Sequence, residues 1–436
     1  MLSVLWQFLN QYTPLFYLTQ PIWRDEAFSI LVAQTNPQEI IRATSADFTP
    51  PLFYLILHYW MLLFGTSEVV TRLLSLVFHI GTIATVYLLT KALCRELKLK
   101  NQQLPLYASI LTLLNPMLLY YGFEVRAYSL LTLFVTLSFY ALVTRRNYLY
   151  IISASLGLYT HYYFALAYLS QIIYLVFTNS SIKDLKKKLY VAIPVIIFSP
   201  WIPYLINQII SSSESWYYPV TLTVWTTSLG RLFTNYQGTH KGADISLTIY
   251  TFCIVWFGVF IARHKNKLGK LLALWLFLPT LIVLFVSGFK PIWVNRYLIY
   301  VAVPEILVII IIISYLSKKM HFTVFTIILI ISILINQIGV HYQRKFDFRT
   351  PINNLKIQLK PEDLIAVTDS LALFETRYYL KNQPNEIKLF LPPNTHLPSY
   401  VGTAIIDKKD IIYTLPTNNT VYLLNLDGSI ILKPKQ

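Results

Sequence analysis

Long apolar stretches separated by short polar loops occupy the first 340 residues of the chain. A helix needs about 20 mostly apolar residues to cross the hydrocarbon core of a bilayer. The pattern gives eleven candidate spans: residues 2–19, 69–90, 104–121, 127–143, 148–160, 162–177, 189–208, 245–262, 271–288, 298–316 and 322–340. It therefore predicts a polytopic α-helical membrane protein with about eleven transmembrane helices.

Some stretches fit a simple span less well. Residues 148–160 and 162–177 share one apolar run broken at Thr160 to Tyr162, and two spans are preferred to one kinked segment because the loop charges then stay on consistent sides. Residues 51–65 are apolar but short, which suits an interfacial or re-entrant helix. Residues 207–244 are rich in aromatic side chains, which is typical of an outer aromatic belt or a juxtamembrane helix.

The loop charges predict the orientation of the chain. Alternate loops carry sixteen Lys and Arg residues, including loops 91–103, 178–188 and 263–270, whereas the opposite loops carry seven. Cytoplasmic loops are enriched in Lys and Arg, so the first set is expected inside the cell. The protein is then a multi-pass protein of the plasma membrane, and the opposite loops lie on the extracytoplasmic face.

The character of the chain changes near His341. Residues 363–369, 387–391, 403–407 and 421–426 have the composition of strands, and residues 370–382 have helical spacing. Residues 341–436 are therefore predicted to form a small soluble extracytoplasmic α/β domain, and residues 1–340 a transmembrane catalytic domain with outer-face loops. The domain shows no Gly-rich phosphate loop, so a nucleotide role has little support.

Composition agrees with the membrane assignment. The chain is 55% hydrophobic and 13% charged, with a mean hydropathy of +0.53. Its net charge of +16 could suggest nucleic acid, but residues 1–340 hold 24 Lys/Arg against 11 Asp/Glu, mostly between apolar segments. That distribution is expected of a membrane protein, and no nucleic-acid partner is predicted. Cys94 and Cys253 are far apart and indicate no disulfide framework.

Ionisable residues converge on the predicted outer face. Any one of them is more often a solvated loop residue than a functional one, but their convergence suggests one shared pocket. The candidates, including two neighbouring tyrosines, are Asp25, Glu26, Asp47, Glu124, Arg126, Tyr128, His161, Arg296 and Tyr297.

Short motifs with a fixed order carry a family resemblance. They are WRDEA after the first span, DFTPPLFYL, FGTSEVVTRLLS, YYGFEVRAYSLLTLF, LYTHYY, SPWIPYL and RYL before a late span. Their order, spacing and sidedness over most of residues 20–310 resemble the GT-C glycosyltransferases, especially the bacterial relatives of protein O-mannosyltransferases and the lipid A aminoarabinose transferase.

This resemblance implies a function. Such enzymes transfer a sugar, here a hexosyl or pentosyl group, from a polyprenyl-phosphate donor to an extracytoplasmic glycan, lipid or protein, with inversion at the anomeric carbon. By position, Asp25 matches the catalytic base and Glu26 its partner. The sequence departs from the pattern twice: some lipid-modifying members carry a basic residue where this chain has Thr49, and others carry Asp where it has Glu124.

The residue types suit this chemistry. A phosphate leaving group needs cations, and Arg supplies planar bidentate donors, so Arg126 and Arg296 are the candidate phosphate ligands. Simpler roles remain open. Arg296 could be an interfacial anchor, Arg126 could pair internally with Glu124, and His161 is more often a hydrogen-bonded loop residue than a catalytic one.

No cofactor is predicted with confidence. The carboxylates of Asp25, Glu26 and Asp47 could bind a divalent metal, but they lack a characteristic ligand spacing. The sequence therefore predicts no metal site.

Two other classes of function are weighed against the enzyme. A transporter or flippase of a lipid-linked saccharide would place ionisable groups within the bilayer, and Arg72 and Glu305 are the candidates in the predicted spans. However, the chain shows no internal repeat. A non-catalytic assembly or sensor protein would leave the outer acids without a shared purpose.

Overall fold

The structure is a computed structural model that describes residues 9–178, 189–211, 219–264, 266–393, 395, 397 and 402–435. Part of the first predicted span, most of loop 178–188 and the aromatic residues 216–218 lie outside the described residues. The α-helices before the C-terminal segment are Phe16–Thr19, Arg24–Ala33, Pro37–Ala46, Leu52–Phe64, Glu68–Glu96, Leu104–Leu114, Pro116–Gly122, Tyr128–Val143, Asn147–Leu158, Phe164–Thr178, Ile193–Phe198, Ile202–Ser211, Leu222–Thr234, Lys241–His264, Asn266–Ser287, Ala302–Ile313 and Lys318–Tyr342.

A multi-pass membrane fold is confirmed by six described segments that are long and apolar enough to cross a bilayer. They are Glu68–Glu96, Leu189–Ile210, Lys241–His264, Lys267–Ser287, Asn295–Ile313 and Lys318–Tyr342, and a bent helix pair would make seven. The count of eleven is not reproduced. Several of the other predicted spans form helices of 11 to 16 residues, because Pro, Asn and turn residues end them early.

The bent pair is the predicted span 104–121. Helices Leu104–Leu114 and Pro116–Gly122 meet at 59°. Pro116 has no backbone N–H and disfavours helical geometry in the residue before it. The Asn115 side chain accepts from the backbone N–H of Leu118 at 3.0 Å and donates to the Phe233 carbonyl at 3.0 Å. This break directs the chain into the loop that carries Glu124 and Arg126.

The apolar run over residues 148–177 forms two helices, in agreement with the preferred interpretation. Helix Asn147–Leu158 ends in a turn that contains His161, and helix Phe164–Thr178 follows. A Cβ added at Gly157 would lie 2.2 Å from the Phe164 ring. Glycine is therefore required where the second helix folds back against the first.

Two short helices that the sequence did not predict occupy the first polar loop, before residue 51. Asn36 begins helix Pro37–Ala46 by accepting from the backbone N–H of Glu39, with proline at the first helical position. The preceding helix, Arg24–Ala33, carries the two adjacent acids in its first turn, where the helix dipole favours negative charge. The short apolar stretch after Pro51 forms the predicted helix, Leu52–Phe64.

The C-terminal segment forms a five-stranded sheet in the order β3-β2-β1-β4-β5. The strands are β1 Leu364–Val367, β2 Ile387–Phe390, β3 Ile411–Ile412, β4 Val421–Leu424 and β5 Ile430–Lys433, and the accompanying helices are Arg349–Gln358 and Ser370–Tyr379. Strands β1 to β4 are parallel, and β5 pairs antiparallel with β4.

The sheet corrects one predicted strand and adds two. Residues 403–407 contain a short 3-10 helix, Thr403–Ile405, which follows Gly402 at a φ of 78°. That left-handed backbone turns the chain out of extended geometry. Strands β3 and β5 at the sheet edges were not predicted, because β3 has two residues and β5 exposes Ile431 and Leu432 to solvent. Central strands leave a clearer apolar signal.

The C-terminal segment packs on the first polar loop. The rings of Phe28 and Phe374 meet edge to face, with centroids 5.5 Å apart. The Tyr379 hydroxyl donates to Glu68 at 2.7 Å and accepts from the Ile22 backbone N–H at 2.8 Å. Apolar residues of both parts belong to one buried cluster. The C-terminal helix Ser370–Tyr379 therefore fixes the position of helix Arg24–Ala33.

Candidate active site

The two adjacent acids of helix Arg24–Ala33 face different surroundings. Asp25 is 8% exposed, whereas Glu26 is completely buried. Successive residues of a helix point in different directions, so the two carboxylates cannot share one role. Asp25 is the less buried of the two acids.

Arginines surround Asp25. Arg24 contacts Oδ1 through Nε at 3.1 Å and Nη2 at 3.0 Å. Arg296 lies 3.7 Å from Oδ2, and Arg126 donates to the backbone carbonyl of Asp25 at 3.4 Å. Burial alone would raise the pKa of the Asp25 carboxyl group, but Arg126 and the other two arginines hold it below its usual value. Asp25 is therefore ionised at neutral pH.

Glu26 is held in a buried ionic cluster. Arg72 contacts both carboxylate oxygens, at 2.9 and 2.7 Å, and Lys345 donates to Oε2 at 2.9 Å. The backbone N–H of Val125 donates to Oε1 at 3.1 Å. Glu26 thus joins helix Glu68–Glu96, the loop after Gly122 and the C-terminal segment at one point.

Arg126 extends toward Asp25 and Asp47. Its Nη1 donates to the Ser29 hydroxyl at 3.4 Å as well as to the Asp25 carbonyl. Its guanidinium carbon lies 5.7 Å from the centre of the Tyr128 ring. The internal pair with the Glu124 carboxylate that the sequence left open is not among the ion pairs of the described residues.

Arg296 contacts aromatic side chains as well as Asp25. It follows Asn295 at the start of a 3-10 helix, Asn295–Val301, and its Nε donates to the Tyr128 hydroxyl at 3.0 Å. The same guanidinium lies 5.8 Å from the Tyr297 ring centre. Two arginines from separate parts of the chain thereby flank one carboxylate.

His161 lies among the tyrosines. Its ring is 4.9 Å from Tyr297 and 6.0 Å from Tyr128, centre to centre. Its Nδ1 accepts from the backbone N–H of Tyr163 at 3.2 Å. Burial and the nearby Arg126 and Arg296 lower the pKa of His161 to about 3. The ring is therefore neutral, and its Nε2 carries the proton as a donor.

Asp47 and Glu124 lie around the same centre. The Asp47 carboxylate accepts from the Thr49 hydroxyl at 3.4 Å, and burial raises its pKa despite the positive charge of Arg126. Glu124 lies 3.5 Å from Lys345. Burial also raises the Glu124 pKa, and the carboxylate of Glu26 adds to the effect. All nine candidates are thus brought to one region, Glu26 and Glu124 at its buried back.

A cavity of about 260 Å³ opens beside Arg296. Its lining combines apolar groups of Val220, Val224 and Trp293 with Arg231 and Arg296. Arg231 is already paired with Asp244 at 2.8 Å. The cavity therefore offers an apolar wall next to the cation that contacts Asp25.

Among the described residues, no group of three or more His, Cys, Asp or Glu side chains is placed so that it could hold a metal ion.

Sequence reasoning did not select three residues of the site. Arg72 stands out in the sequence only as a charge in a predicted span, which is the available signal. Lys345 belongs to a basic run after the last predicted span. The sequence predicts this segment to be outside the cell, where Lys and Arg are less frequent. Ser29 carries no signal that could have separated it from any other serine.

The site thus consists of a buried acid placed between arginines. It lies at the ends of short helices in a bundle with several membrane-length helices. The sequence model of the dolichyl-phosphate-mannose-protein mannosyltransferase family matches residues 49–204. A search among curated proteins finds no match.

Solved structures show the same fold. The chain resembles ArnT from Cupriavidus metallidurans in the apo state, with a TM-score of 0.63 and 11% identity over 97% of this chain and 92% of that one. The same ArnT bound to undecaprenyl phosphate gives a TM-score of 0.62 and 11% identity, over 97% and 91%. The chain therefore has a GT-C fold, related to those of the mannosyltransferases and the aminoarabinose transferase, and the family match supports a membrane glycosyltransferase.

Proposed function

We propose that this protein transfers a sugar from a polyprenyl-phosphate donor to an extracytoplasmic acceptor, with inversion at the anomeric carbon. The observation that carries the proposal is the position of Asp25 between Arg126 and Arg296. A carboxylate beside two cations suits a reaction in which a hydroxyl loses a proton while a phosphate departs.

In this proposal Arg126 and Arg296 bind the donor phosphate. Arg296 lies 3.7 Å from the Asp25 carboxylate, a longer contact than the 2.7 Å between Arg72 and Glu26. Arg126 also exerts its positive charge on Asp47, near Thr49. It can thus supply the cation that related enzymes place immediately before their Pro-Pro pair. An incoming phosphate would gain two charge-assisted partners.

The cavity beside Arg296 supports a lipid-linked donor. Its apolar side, with Val220, Val224 and Trp293, is suited to the first isoprene units while the phosphate meets Arg296. The ArnT structure bound to undecaprenyl phosphate contains a carrier of this chemistry. A lipid carrier would hold the phosphate at the membrane surface, where Asp25 is proposed to lie.

Asp25 is the proposed general base. Its low pKa keeps it ionised, so it can accept the acceptor's proton late in the reaction and stabilise the oxocarbenium-like centre before that. Tyr128, Tyr297 and His161 form the proposed wall of the sugar site, with neutral His161 as a hydrogen-bond donor. Glu26 holds the loop in place from its buried side and does not contact the sugar.

The surroundings of Glu305 give little support to the transport alternative. Glu305 is completely buried between helices, where the Tyr250 hydroxyl donates to it at 2.8 Å. It does not line the cavity beside Arg296. Its position away from this cavity supports the enzyme over the transporter.

The test is direct. The purified protein in liposomes is given undecaprenyl-phosphate-linked mannose, glucose or 4-amino-arabinose, with membrane extract as acceptor. Cleavage of one donor with transfer of its sugar in the inverted configuration, seen by mass spectrometry and NMR, is the expected result. Movement of the intact donor between leaflets without cleavage would support transport and overturn the proposal.

A further inference from the structure

Lys345 is a buried lysine that the proposed reaction does not use. It follows helix Lys318–Tyr342 in a segment without regular secondary structure, and its side chain is 5% exposed. Its ammonium nitrogen lies 2.9 Å from Glu26 Oε2 and 3.5 Å from Glu124 Oε2. Lysine is rarely buried to this degree unless it is paired, and here one ammonium group bridges two carboxylates.

The backbone around Lys345 is held in place by separate contacts. Its N–H donates to the Gln20 side chain at 3.3 Å, and its ammonium nitrogen lies 5.6 Å from the centre of the Trp23 ring. Four positions later, Arg349 donates to the Glu68 carboxylate at 2.7 Å. The position of the ammonium group is therefore set by the fold and does not depend on one long flexible side chain.

The two bridged carboxylates belong to the elements that carry the proposed base and a proposed phosphate ligand. Glu26 follows Asp25 on helix Arg24–Ala33. Glu124 lies two positions before Arg126, in the loop after the bent helix pair. The ammonium group thus ties this loop to that helix.

The Glu124 carboxylate depends on the lysine for its charge partner. Glu124 is 2% exposed, and its Oε1 has no hydrogen-bond partner within the described part of the chain. Burial and the carboxylate of Glu26 raise the pKa of Glu124, and Lys345 opposes that rise. A buried charge without its partner is strongly unfavourable. Removal of the lysine charge would therefore separate the two acids or neutralise one of them, and either change removes the bridge.

The backbone transmits such a change to Arg126. The Arg126 N–H donates to the Glu124 carbonyl at 2.7 Å, and the preceding Val125 N–H donates to Glu26 Oε1 at 3.1 Å. The guanidinium has only a long contact, 3.4 Å, with the Asp25 carbonyl oxygen. Hydrogen bonds of that length are weak, so the loop backbone decides where the guanidinium lies.

We propose that Lys345 is a positioning residue for Arg126: by bridging two carboxylates it sets where this arginine lies relative to Asp25. This inference rests on the proposed function. Loss of the bridge should weaken binding of the donor phosphate more than it slows the chemical step, because Asp25 keeps its own contact with Arg24 at 3.0 Å.

The experiment compares Lys345→Met, which removes the charge but keeps a long side chain, with Lys345→Arg and the control Lys409→Met. Lys409 belongs to the same C-terminal segment, but its side chain is 78% exposed. Two quantities are measured: the Kd for undecaprenyl phosphate in a fluorescence titration, and KM and kcat for the donor that the wild type uses.

Lys345→Met should raise Kd and the donor KM by about ten-fold, the effect of losing one charge-assisted phosphate contact, and leave kcat within about three-fold. Lys345→Arg keeps a cation that can contact both carboxylates, so its Kd and KM should stay within about three-fold of the wild type. Lys409→Met should match the wild type in all three quantities.

Unchanged Kd and KM in folded Lys345→Met would overturn the inference. So would an equally large rise in Lys345→Arg, or a fall in kcat alone that follows the amount of folded protein on size-exclusion chromatography. If Lys345→Met yields no folded protein, Glu124→Gln takes its place. This variant removes the longer contact of the bridge and should raise Kd by about three-fold, and an unchanged Kd would overturn the inference.

Failure of the proposed function is recognised separately. A wild type that binds undecaprenyl phosphate but transfers no sugar would overturn the proposed transfer, and the Kd comparison would still test Lys345. A wild type that neither binds this carrier nor transfers a sugar would overturn the proposed function and this inference with it.

Discussion

Replacing Glu26 by Gln should destabilise the protein without touching the proposed sugar site. The change keeps the volume and one acceptor oxygen but removes the charge. Arg72 would then lose the carboxylate that contacts it, and Lys345 would keep only its longer contact of 3.5 Å with Glu124. Both lie within 2.9 Å of Glu26, and the Arg72 and Glu26 side chains are completely buried.

Two independent arguments give the size of the effect. Removing one partner of a buried ion pair typically costs about 3 to 5 kcal/mol, because the remaining charge is left uncompensated. Burial would raise the pKa of Glu26, but Arg72 and Lys345 lower it to about 2. Compared with an ordinary value of about 4.5, this corresponds to roughly 3 kcal/mol favouring the ionised form. The two figures agree within their precision.

The assay is thermal unfolding of the purified protein in detergent, followed by tryptophan fluorescence. Unfolding entropy scales with chain length, so a chain of 436 residues shifts by roughly 1 °C per kcal/mol if it unfolds as one unit. Glu26→Gln should therefore lower Tm by about 3 to 5 °C near neutral pH. Because the folded-state pKa is lowered, the stabilisation is present above about pH 4.5 and is lost as the pH falls toward 2.

Glu39→Gln is the matched control. Glu39 also lies on a short helix of the same loop and pairs with Arg42 at 2.6 Å, but the two side chains are 46% and 61% exposed. Exposed pairs contribute little, so this variant should melt within about 1 °C of the wild type. If Glu26→Gln behaved in the same way, the view of Glu26 as a buried structural anchor would be refuted.

Three further predictions concern catalysis and topology. Asp25→Asn should still bind undecaprenyl phosphate in a fluorescence titration but lose at least about a hundred-fold in turnover, and retained turnover would exclude Asp25 as the base. Arg126→Lys and Arg296→Lys should each weaken donor use by about ten-fold, because Lys cannot make a planar bidentate contact, and unchanged kinetics would remove that arginine from the phosphate site. A cysteine at the exposed position Asn418 should react with a membrane-impermeant reagent in intact cells, and protection there would reverse the proposed orientation.

Hydrophobic length and local residue chemistry determined the class of this protein. A membrane-spanning helix can be recognised from its own sequence. The hydrocarbon core of the bilayer excludes polar groups wherever the helix packs in the protein. The fold class and the GT-C resemblance therefore follow from the amino-acid sequence alone. The same local logic predicted the central strands β1, β2 and β4 and the helix that begins at Ser370. It failed for 403–407, where Gly402 alters the backbone.

Tertiary structure decided which partners the candidate site residues contact. The sequence places Asp25 and Glu26 side by side, and only packing shows that Asp25 keeps a small exposed fraction while Glu26 has none. The partners of Glu26, Arg72 and Lys345, are 46 and 319 residues away along the chain. Such pairs depend on how distant elements pack, and no local pattern of residues predicts which of these elements will meet.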